Sequence, residues 1–394
     1  MPKTVILGTA RTPIGKLGGG LSSIDATDLG AAAITAALER ADVAPDQVDH
    51  VVMGQVIQAG QGQVPSRQAQ IKAGIPKGVS SETINKVCAS GLRATVILDQ
   101  AIRAGDVEVG VGGGMESMSG APYLLPQARF GYRMGDAKAL DSMVHDGLTN
   151  PFSGKQMFIE ATEVGDELEL TRPDLDRWAL RSHELALAAI DDGRMADEIV
   201  PFTVKGRKGD TVVEVDEGPR RGSTLEALSK LPGLTGKEGS HTAGNSPGVN
   251  DGAAMLVVAE AGLAQERELE PLARILATGC TANRHDSLAR VPAKAAQIAL
   301  ERAGLAAADM EVIEINEAFA SVALQSSRDL GVDRERVNVN GGAVALGHPV
   351  GASGARLVGT LMYELRRRGG GRGLAAICSG GGQGDAIVIE VGGR

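Results

Sequence analysis

The sequence predicts an α/β fold made of two similar α/β portions with a long excursion between them. In both portions, short β-rich runs alternate with longer helical patterns rich in Ala and Leu, which is typical of a mostly parallel sheet covered by helices. Residues 119–247 differ, because Met, Pro, Gly and charged residues are frequent there. The length of 394 residues is enough for two or three domains, each with a core of its own.

The first portion covers residues 1–118 and, after the excursion, residues 248–270. Its β-rich runs are KTVILG, HVVMGQV, SETINKV and VEVGVGGG. ATDLGAAAITAALERA is a clear helical pattern, and DGAAMLVVAEAGLAQERE predicts one further strand and helix of the same half. The excursion contains one clear helix, RPDLDRWALRSHELALAAIDDG, opened by Pro173 and closed by Gly193. We interpret residues 119–247 as a loop domain rather than a second sheet domain.

The second portion, residues 271–394, repeats the alternation. Its predicted strands are PLARILATG, MEVIEINEAF, ERVNVNGG, GLAAICSGGG and GDAIVIEVG, and the last two form an antiparallel hairpin through the glycine turn at 380–384. INKVCASGLRA in the first portion and VNVNGGAVALGHPVGASGAR in the second each place a β-run, a reactive side chain and a glycine-containing helix start in that order. Such an internal duplication predicts that the two reactive segments face each other.

Composition argues against several classes of protein. The net charge is −9 and the basic residues are scattered apart from ELRRRGGGRG, so a nucleic-acid-binding surface is not expected. The apolar part of MPKTVILGTAR is shorter than a signal sequence requires, and no run approaches the roughly 18 apolar residues of a membrane span. We therefore expect a cytoplasmic protein with no membrane or nucleic-acid partner.

The three cysteines are Cys88, Cys280 and Cys378, and their spacing fits neither a metal site nor a disulfide framework. Cys88 lies between the β-run SETINKV and a helical pattern that begins with ASGLRATVILDQ. At a helix N-terminus, free N–H groups and the helix dipole favour a thiolate and can bind an oxyanion. From its position alone, Cys88 is either a nucleophile or a small apolar residue beside a tight turn. Cys280 has no glycine-rich segment after it and is predicted to be structural.

A glycine-rich segment, NVNGGAVALGHPVGASGAR, surrounds His348. Glycine permits positive φ and close backbone approach, and Pro349 restricts the backbone after the histidine. The glycines that matter here are Gly341, Gly342, Gly347, Gly351 and Gly354. Such a loop can hold an imidazole firmly beside another chain segment or a ligand, although a lone histidine is more often structural than catalytic.

Two further candidate residues follow or end predicted strands. Cys378 ends an apolar run and enters a turn with three glycines, so its thiol is expected at the rim of the sheet with backbone N–H groups nearby. The alternative is a hairpin turn with an incidental thiol. Asn316 precedes a helix whose apolar face includes Phe319 and Leu330, and it is predicted to be the N-cap of that helix.

Taken together, NKVCASG, NEAFA, GGAVALGHPVGASGAR and CSGGGQG resemble the four signature blocks of thiolases, in the family's order and over the full chain. ARTPIGKLGG, GRMADEIVPFTVKGRKGD and AGNSPGVNDGAA extend the resemblance. It implies a layered α/β/α/β/α fold of two pseudo-symmetric βαβαβαββ halves, with the loop domain carried by the first. It also implies an acetyl-CoA acetyltransferase or 3-ketoacyl-CoA thiolase, most similar to short-chain bacterial members.

The resemblance implies a role for each candidate residue. His348 takes the proton of Cys88, whose thiolate attacks an acyl thioester to give an acyl-enzyme and free CoA. Cys378 removes a proton from a second acetyl-CoA in the condensation, and in thiolysis it protonates the departing acetyl-CoA carbanion. His348 and a water held by Asn316 form one oxyanion hole, and the N–H groups of Cys88 and Gly380 form the other.

The family's CoA site is expected mostly in the loop domain, with Arg220 at the adenine end. The residues expected along the pantetheine are Leu148, Met157, Ala243, Ser246 and Phe319. Three positions depart from the short-chain pattern, because Gln156 replaces a histidine, Phe158 a glycine and Pro247 a serine. Gln does not titrate and Pro donates no hydrogen bond, so CoA contacts and acyl-chain preference stay open.

The same resemblance implies no metal and no tightly bound cofactor, because acyl-CoA and CoA are the substrates. A homo-oligomer is expected, a dimer through the first-half sheet or a dimer of dimers, since FGYRMGDAKALDSMVHDG resembles the family's tetramerisation loop. The alternatives are a thiolase with another acyl-chain preference, a ketoacyl synthase-like condensing enzyme, a non-catalytic acyl-CoA-binding relative and a Cys/His hydrolase. The CSGGG thiol disfavours the synthase, and retention of Cys88, His348 and Cys378 disfavours a non-catalytic protein.

Overall fold

The computed structural model describes residues 3–392. Its strands are β1 (Thr4–Arg11), β2 (Gly15–Lys16), β3 (His50–Gly54), β4 (Ser80–Ile84), β5 (Val109–Ser117), β6 (Tyr123–Leu124), β7 (Leu140–Asp141), β8 (Phe202–Val204), β9 (Thr211–Val213), β10 (Asn250–Glu260), β11 (Ala273–Ala282), β12 (Val312–Ile315), β13 (Gly371–Ser379) and β14 (Gln383–Val391).

Its α-helices are α1 (Ala26–Ala41), α2 (Pro65–Lys72), α3 (Ser90–Ala104), α4 (Met157–Glu167), α5 (Arg172–Asp191), α6 (Leu225–Ser229), α7 (Ala261–Glu266), α8 (Val291–Ala303), α9 (Ala320–Leu330), α10 (Ala343–Leu346) and α11 (Ser353–Arg367). Short 3₁₀ turns lie at Pro45–Gln47, Ala128–Phe130, Ala307–Asp309 and Arg334–Arg336, and a π-helical turn lies at Met143–Gly147. Apart from one, the predicted β-rich runs and helical patterns lie on strands and helices of the structure.

A single ten-stranded sheet forms the centre of the molecule, in the order β12–β13–β14–β11–β1–β10–β5–β3–β4 with β2 paired to β10. Parallel pairing is limited to β3 with β4 and β5, and to β12 with β13. The prediction of a mostly parallel sheet is therefore wrong. The reason is that β14 follows β13 through a tight hairpin and β10 returns to the sheet after the excursion, and neither connection is the helical crossover that a parallel pair requires.

The sheet has two halves with the same pairing pattern, which confirms the predicted duplication. In the first half, β3 is parallel to β5, β5 is antiparallel to β10, and β10 is antiparallel to β1. In the second half, β12, β13, β14 and β11 repeat that series. The halves meet where β1 pairs antiparallel with β11, through Val5–Arg274 and Ile6–Ala273.

Helices cover and separate these halves, giving the five layers that the sequence predicts. Helices α3 and α11 share one apolar cluster with strands of both halves, so they form the middle layer. Helices α1 and α2 pack on the outer face of the first half. Helices α8 and α9 pack on the outer face of the second half. The cores consist mainly of Ala, Val, Ile and Leu, as expected for a chain with only 2% aromatic residues.

The run ERVNVNGG was predicted to be a strand, and that prediction is wrong. Its backbone forms a 3₁₀ turn and isolated bridges, including Ile313–Val337. Asn338 has a φ of 49°, and its side chain accepts from the Ile315 N–H and donates to the Ile315 carbonyl, each at 2.8 Å. The side-chain amide therefore replaces the ladder hydrogen bonds of a strand at this edge.

The excursion leaves the sheet after β5 and returns at β10. It contains the small pairs β6–β7 and β8–β9, and the predicted helix, α5, which Thr171 caps by accepting from the Asp174 N–H. Helix α5 packs against α9 and α10 of the second half, although the excursion is an insertion in the first. The domain boundaries stay a prediction. Within residues 3–392, no helix combines the length and apolar character needed to cross a membrane.

Candidate active site

A largely apolar cavity collects most of the predicted site residues. Four of the five proposed catalytic positions line it: Cys88, His348, Cys378 and Gly380. Its walls include the predicted pantetheine residues Leu148, Met157, Ser246 and Phe319, and the three departures Gln156, Phe158 and Pro247. The two reactive segments of the duplication therefore open onto one cavity, as the sequence predicts.

Cys88 lies between the end of β4 and the start of α3, at the predicted strand-to-helix junction. The residue before it, Val87, has a φ of 43°, which for a β-branched residue costs about 1–3 kcal/mol. Ser90 holds this turn, because its hydroxyl accepts from the Lys86 N–H at 2.8 Å and donates to the Val87 carbonyl at 2.7 Å. The strain is therefore maintained by local hydrogen bonds and directs the thiol into the cavity.

The thiolate predicted for Cys88 is not the form that its surroundings favour. Burial raises the pKa of Cys88 to about 12, and the charge of Glu116 adds to the increase. The backbone N–H groups of Cys88 and Gly380 interact with the sulfur and lower the pKa, but by less than burial raises it. Cys88 is therefore a neutral thiol that needs a base, and two N–H groups from different halves already converge on it.

The backbone around His348 shows why glycine is required there. The His348 N–H donates to Asn250 Oδ1 at 2.8 Å, and Asn250 Nδ2 donates to the Gly15 carbonyl at 2.8 Å. Gly347 has a φ of 110°, and a Cβ at this position would lie 2.5 Å from Asn250. Only glycine allows the loop to pass so close to its anchor, as the sequence predicts.

The hydrogen bonds of the His348 ring determine which nitrogen is free. Nδ1 lies 2.6 Å from Ser353 Oγ, and this hydroxyl donates to the Pro349 carbonyl at 3.0 Å. Since the hydroxyl proton is used, Nδ1 is the donor and Nε2 carries the lone pair. Burial, with a smaller effect of Arg356, lowers the pKa of His348 to about 3. His348 is therefore a neutral imidazole whose Nε2 can accept a proton.

Asn316 is not the helix N-cap that the sequence predicts. Helix α9 begins at Ala320 with Phe319 in the cap position, because the chain runs on in extended form after β12. The Asn316 N–H donates to the Ala376 carbonyl at 2.9 Å, and its Nδ2 lies 3.4 Å from His348 Nε2. Asn316 Oδ1 is buried and has no hydrogen-bond partner within residues 3–392. Tertiary contacts therefore assign its side chain to the histidine rather than to the helix.

Cys378 is fully buried near the end of β13, next to the turn Gly380–Gly382. It packs in an apolar cluster with Leu288 and Phe319. Burial raises the pKa of Cys378 well above its ordinary value, and the neighbouring Cys88 raises it further. The two thiols are therefore close enough to interact. By contrast, Cys280 is exposed on β11 and is not part of the cavity wall.

The predicted CoA residues fall into two groups. Leu148, Met157, Ser246 and Phe319 line the cavity, and Ser246 Oγ is buried without a partner in the described part of the chain. Arg220 and Ala243 are exposed and do not line it, so their CoA contacts stay predictions.

Sequence reasoning missed the residues that hold the site together. Glu116 accepts from the N–H groups of Val56, Ile57 and Gly351, which ties the first half to the His348 loop. Burial raises the pKa of Glu116 to about 7. Ser353 bonds the His348 ring, and Asn250 accepts from the His348 N–H. No local pattern in the sequence separates these two residues from other loop residues.

Two family models match the chain almost end to end. The model described as "Thiolase, N-terminal domain" matches residues 4–262, and the one described as "Thiolase, C-terminal domain" matches residues 269–391. The boundary between them falls shortly before β11, where the second half of the sheet begins.

Named relatives and a solved structure agree with these matches. The chain is 46% identical over 392 residues to "Acetyl-CoA acetyltransferase" of Syntrophomonas wolfei, which covers 98% of this chain and 99% of that protein. It is 48% identical over 389 residues to "Acetyl-CoA acetyltransferase" of Rhizobium meliloti, covering 99% of each. The crystal structure of the Bacillus anthracis acetyl-CoA acetyltransferase superposes with a TM-score of 0.97, at 40% identity and 99% coverage of both chains.

Proposed function

The chain belongs to the thiolase family, and on that premise we propose how its site works. The protein is an acetyl-CoA C-acyltransferase, which condenses two acetyl-CoA molecules to acetoacetyl-CoA and cleaves 3-ketoacyl-CoA with CoA. The observation that carries the mechanism is that Cys88, Cys378 and a neutral His348 line one apolar cavity, together with Gly380.

In the first stage, His348 Nε2 accepts the proton of Cys88 as the sulfur attacks the acyl thioester. A pKa of about 12 for the thiol and about 3 for the imidazole makes a preformed thiolate–imidazolium pair unfavourable. Proton transfer therefore accompanies attack, and the resulting oxyanion is stabilised by the N–H groups of Cys88 and Gly380. CoA leaves as a thiolate, and the acyl group stays on Cys88. The CoA thiolate then takes up the proton of the Cys378 thiol, while His348 Nε2 keeps the proton from Cys88.

In the second stage, the Cys378 thiolate removes a proton from the α-carbon of acetyl-CoA, and the carbanion attacks the acyl group on Cys88, which leaves the product as a thiolate and recovers its proton from His348. Negative charge develops on the thioester oxygen of acetyl-CoA as the proton is removed, before the carbanion attacks. His348 Nε2, which carries the proton taken from Cys88 at this stage, and a water held by Asn316 are the proposed donors, supported by the buried, unpartnered Asn316 Oδ1. In thiolysis, the Cys378 thiol returns the proton to the departing carbanion.

CoA thioesters are the substrates, and we expect no tightly bound cofactor. The pantetheine arm is proposed to lie along Leu148, Met157 and Phe319, with the Ser246 hydroxyl as a polar contact. Gln156 and Pro247 also line the cavity, so the contacts on this side differ from those of a histidine and a serine. The chemistry at Cys88 does not depend on these residues.

Thiolysis assays test this function directly. Purified protein is expected to cleave acetoacetyl-CoA only when CoA is added, and to cleave longer 3-ketoacyl-CoAs more slowly, because Leu288 shares an apolar cluster with Cys378 and Met157 and Phe158 pack against that cluster. A hydrolase would instead release free acid from acetyl-CoA without a thiol acceptor, and a ketoacyl synthase-like enzyme would require a decarboxylating donor. A preference for long chains would favour the alternative of a thiolase with another acyl specificity.

The pH dependence of Cys88 alkylation tests the neutral thiol–imidazole pair. With a pKa raised to about 12, the thiolate fraction increases about tenfold for each pH unit between about 7 and 10. The rate of iodoacetamide alkylation should increase over that whole range without a plateau. A Cys280→Ser, Cys378→Ser background leaves Cys88 as the remaining thiol. A rate that is already maximal near neutral pH would show a thiolate–imidazolium pair instead.

We further propose a homo-oligomer, a dimer or a dimer of dimers, located in the cytoplasm. Strand β4 lies at the end of the sheet, where its outer edge can pair with another copy. The segment between β6 and β7 exposes Phe130 by 91% and Met134 by 99%, which is more apolar surface than a solvated loop needs. Sedimentation of the purified protein will distinguish monomer, dimer and tetramer.

A further inference from the structure

The two thiols of the site are carried by two segments from opposite halves of the molecule. We call residues 85–89 the nucleophile turn and residues 378–385 the thiol hairpin. The nucleophile turn carries the N–H of Cys88, and the thiol hairpin carries the N–H of Gly380. The proposed oxyanion hole is therefore complete only when these segments keep a fixed distance from each other.

Three contacts hold the nucleophile turn against the thiol hairpin. The Ser379 hydroxyl donates a hydrogen bond to the Lys86 carbonyl. Val87 packs so closely on Gly380 that a Cβ there would lie 3.3 Å from Val87 Cγ1. Finally, Lys86 Nζ lies 2.5 Å from Asp385 Oδ2. The first two contacts position the backbone, and the third is an ion pair between the two halves.

Burial raises the pKa of Asp385, and the charge of Lys86 opposes that increase, so the ionised carboxylate depends on the lysine. The Asp385 side chain is fully buried, and the Lys86 side chain is 19% exposed. Apart from Lys86 Nζ, no group within residues 3–392 donates a hydrogen bond to the carboxylate of Asp385, and the other cation that influences its charge is Arg93. A buried carboxylate without a counter-ion is strongly unfavourable. Asp385 therefore restricts Lys86 to one position.

We propose that the Lys86–Asp385 ion pair positions the oxyanion hole, by fixing the nucleophile turn against the thiol hairpin. This inference rests on the proposed thiolase function of the same site. Lys86 and Asp385 touch no reacting atom, so they are positioning residues. Lys86 is followed directly by Val87, whose positive φ requires support from its surroundings.

The proposal predicts an effect on turnover rather than on binding. Without the ion pair, Val87 can relax and the Cys88 N–H can move relative to the Gly380 N–H. A displacement of about 1 Å at a reacting site can reduce the rate about a hundredfold. The walls proposed to bind pantetheine, Leu148 and Phe319, belong to other segments. The KM values for CoA and acetoacetyl-CoA should therefore change little.

A double-mutant cycle separates this role from a purely structural one. Lys86→Met and Asp385→Asn should each lower kcat of thiolysis about ten- to hundredfold, change KM less than about threefold, and lower the Tm. The double variant leaves no unpaired buried charge, so its Tm should recover while its kcat stays low. Lys86→Arg keeps the ion pair and should retain most of the kcat of the unmodified protein.

Asp99→Asn is the matched control, because Asp99 is also a buried carboxylate paired with a cation, Arg103, at 2.9 Å, but it lies along α3 away from the cavity. It should lower the Tm without lowering kcat. A double variant with kcat within about twofold of the unmodified protein would overturn the proposal, even if the single variants fail to fold. An unmodified protein without CoA-dependent thiolysis would instead contradict the proposed function.

Discussion

Replacing Cys88 with serine should abolish formation of the acyl-enzyme and lower thiolysis by about 10⁴-fold or more. A serine hydroxyl is far less acidic and less nucleophilic than a thiol, and His348, with its pKa lowered to about 3, is too weak a base to compensate. Mass spectrometry after incubation with acetyl-CoA measures the acetyl group on the intact protein. We expect one acetyl group on the unmodified chain and none on the Cys88→Ser variant.

Cys280→Ser is the control for this substitution, since it makes the same chemical change at an exposed thiol on β11. It should leave both acetylation and thiolysis unchanged. If Cys88→Ser still became acetylated at the normal rate, or if Cys280→Ser lost the label, the nucleophile assigned here would be incorrect.

Replacing Cys378 with serine should separate the two stages of the reaction. Acylation of Cys88 depends on His348 and on the N–H groups of Cys88 and Gly380, so it should remain largely intact. Breaking the carbon–carbon bond needs the Cys378 thiol to deliver a proton, and loss of a general acid or base reduces such a step about 10²- to 10⁴-fold. Exchange of labelled CoA into acetyl-CoA measures the first stage, and cleavage of acetoacetyl-CoA measures the second.

The expected pattern is normal CoA exchange with a loss of cleavage. Equal losses in both assays would indicate that Cys378 supports the cavity rather than the second stage, because it packs in the cluster with Leu288 and Phe319. Unchanged cleavage would remove the acid–base role from this thiol. Either result would leave the assignment of Cys88 intact.

Element types could be predicted from the sequence wherever local pattern and tertiary packing agree. Helix α1 has the predicted bounds, 26–41, because its Ala and Leu residues favour a helix and also fill the first outer layer. The hairpin β13–β14 was predictable from two apolar runs joined by glycines. The antiparallel pairing of the central strands was not predictable. Alternating strands and helices do not show where β10 re-enters the sheet after an excursion of more than a hundred residues.

The roles of side chains that bond residues distant in the sequence could not be predicted from local pattern. Asn316 has the residue type and the position that are typical of an N-cap, but the partner of its side chain, His348, lies 32 residues away in sequence. The pattern around Asn338 is typical of a strand, but its side-chain amide bonds the backbone of Ile315. In both cases a short polar side chain can satisfy either a local backbone group or a distant one, and only packing selects between them.

The family, the two α/β halves and three reactive residues can be read from the sequence, because Cys88, His348 and Cys378 each lie in a short block of distinctive composition. The charge states of these residues and the contacts that position them depend instead on the folded environment. Burial makes Cys88 a neutral thiol where the helix N-terminus alone favours a thiolate, because desolvation outweighs the two N–H groups. The contacts that position the site, from Ser353 to His348 and from Asp385 to Lys86, join residues whose proximity exists only after folding.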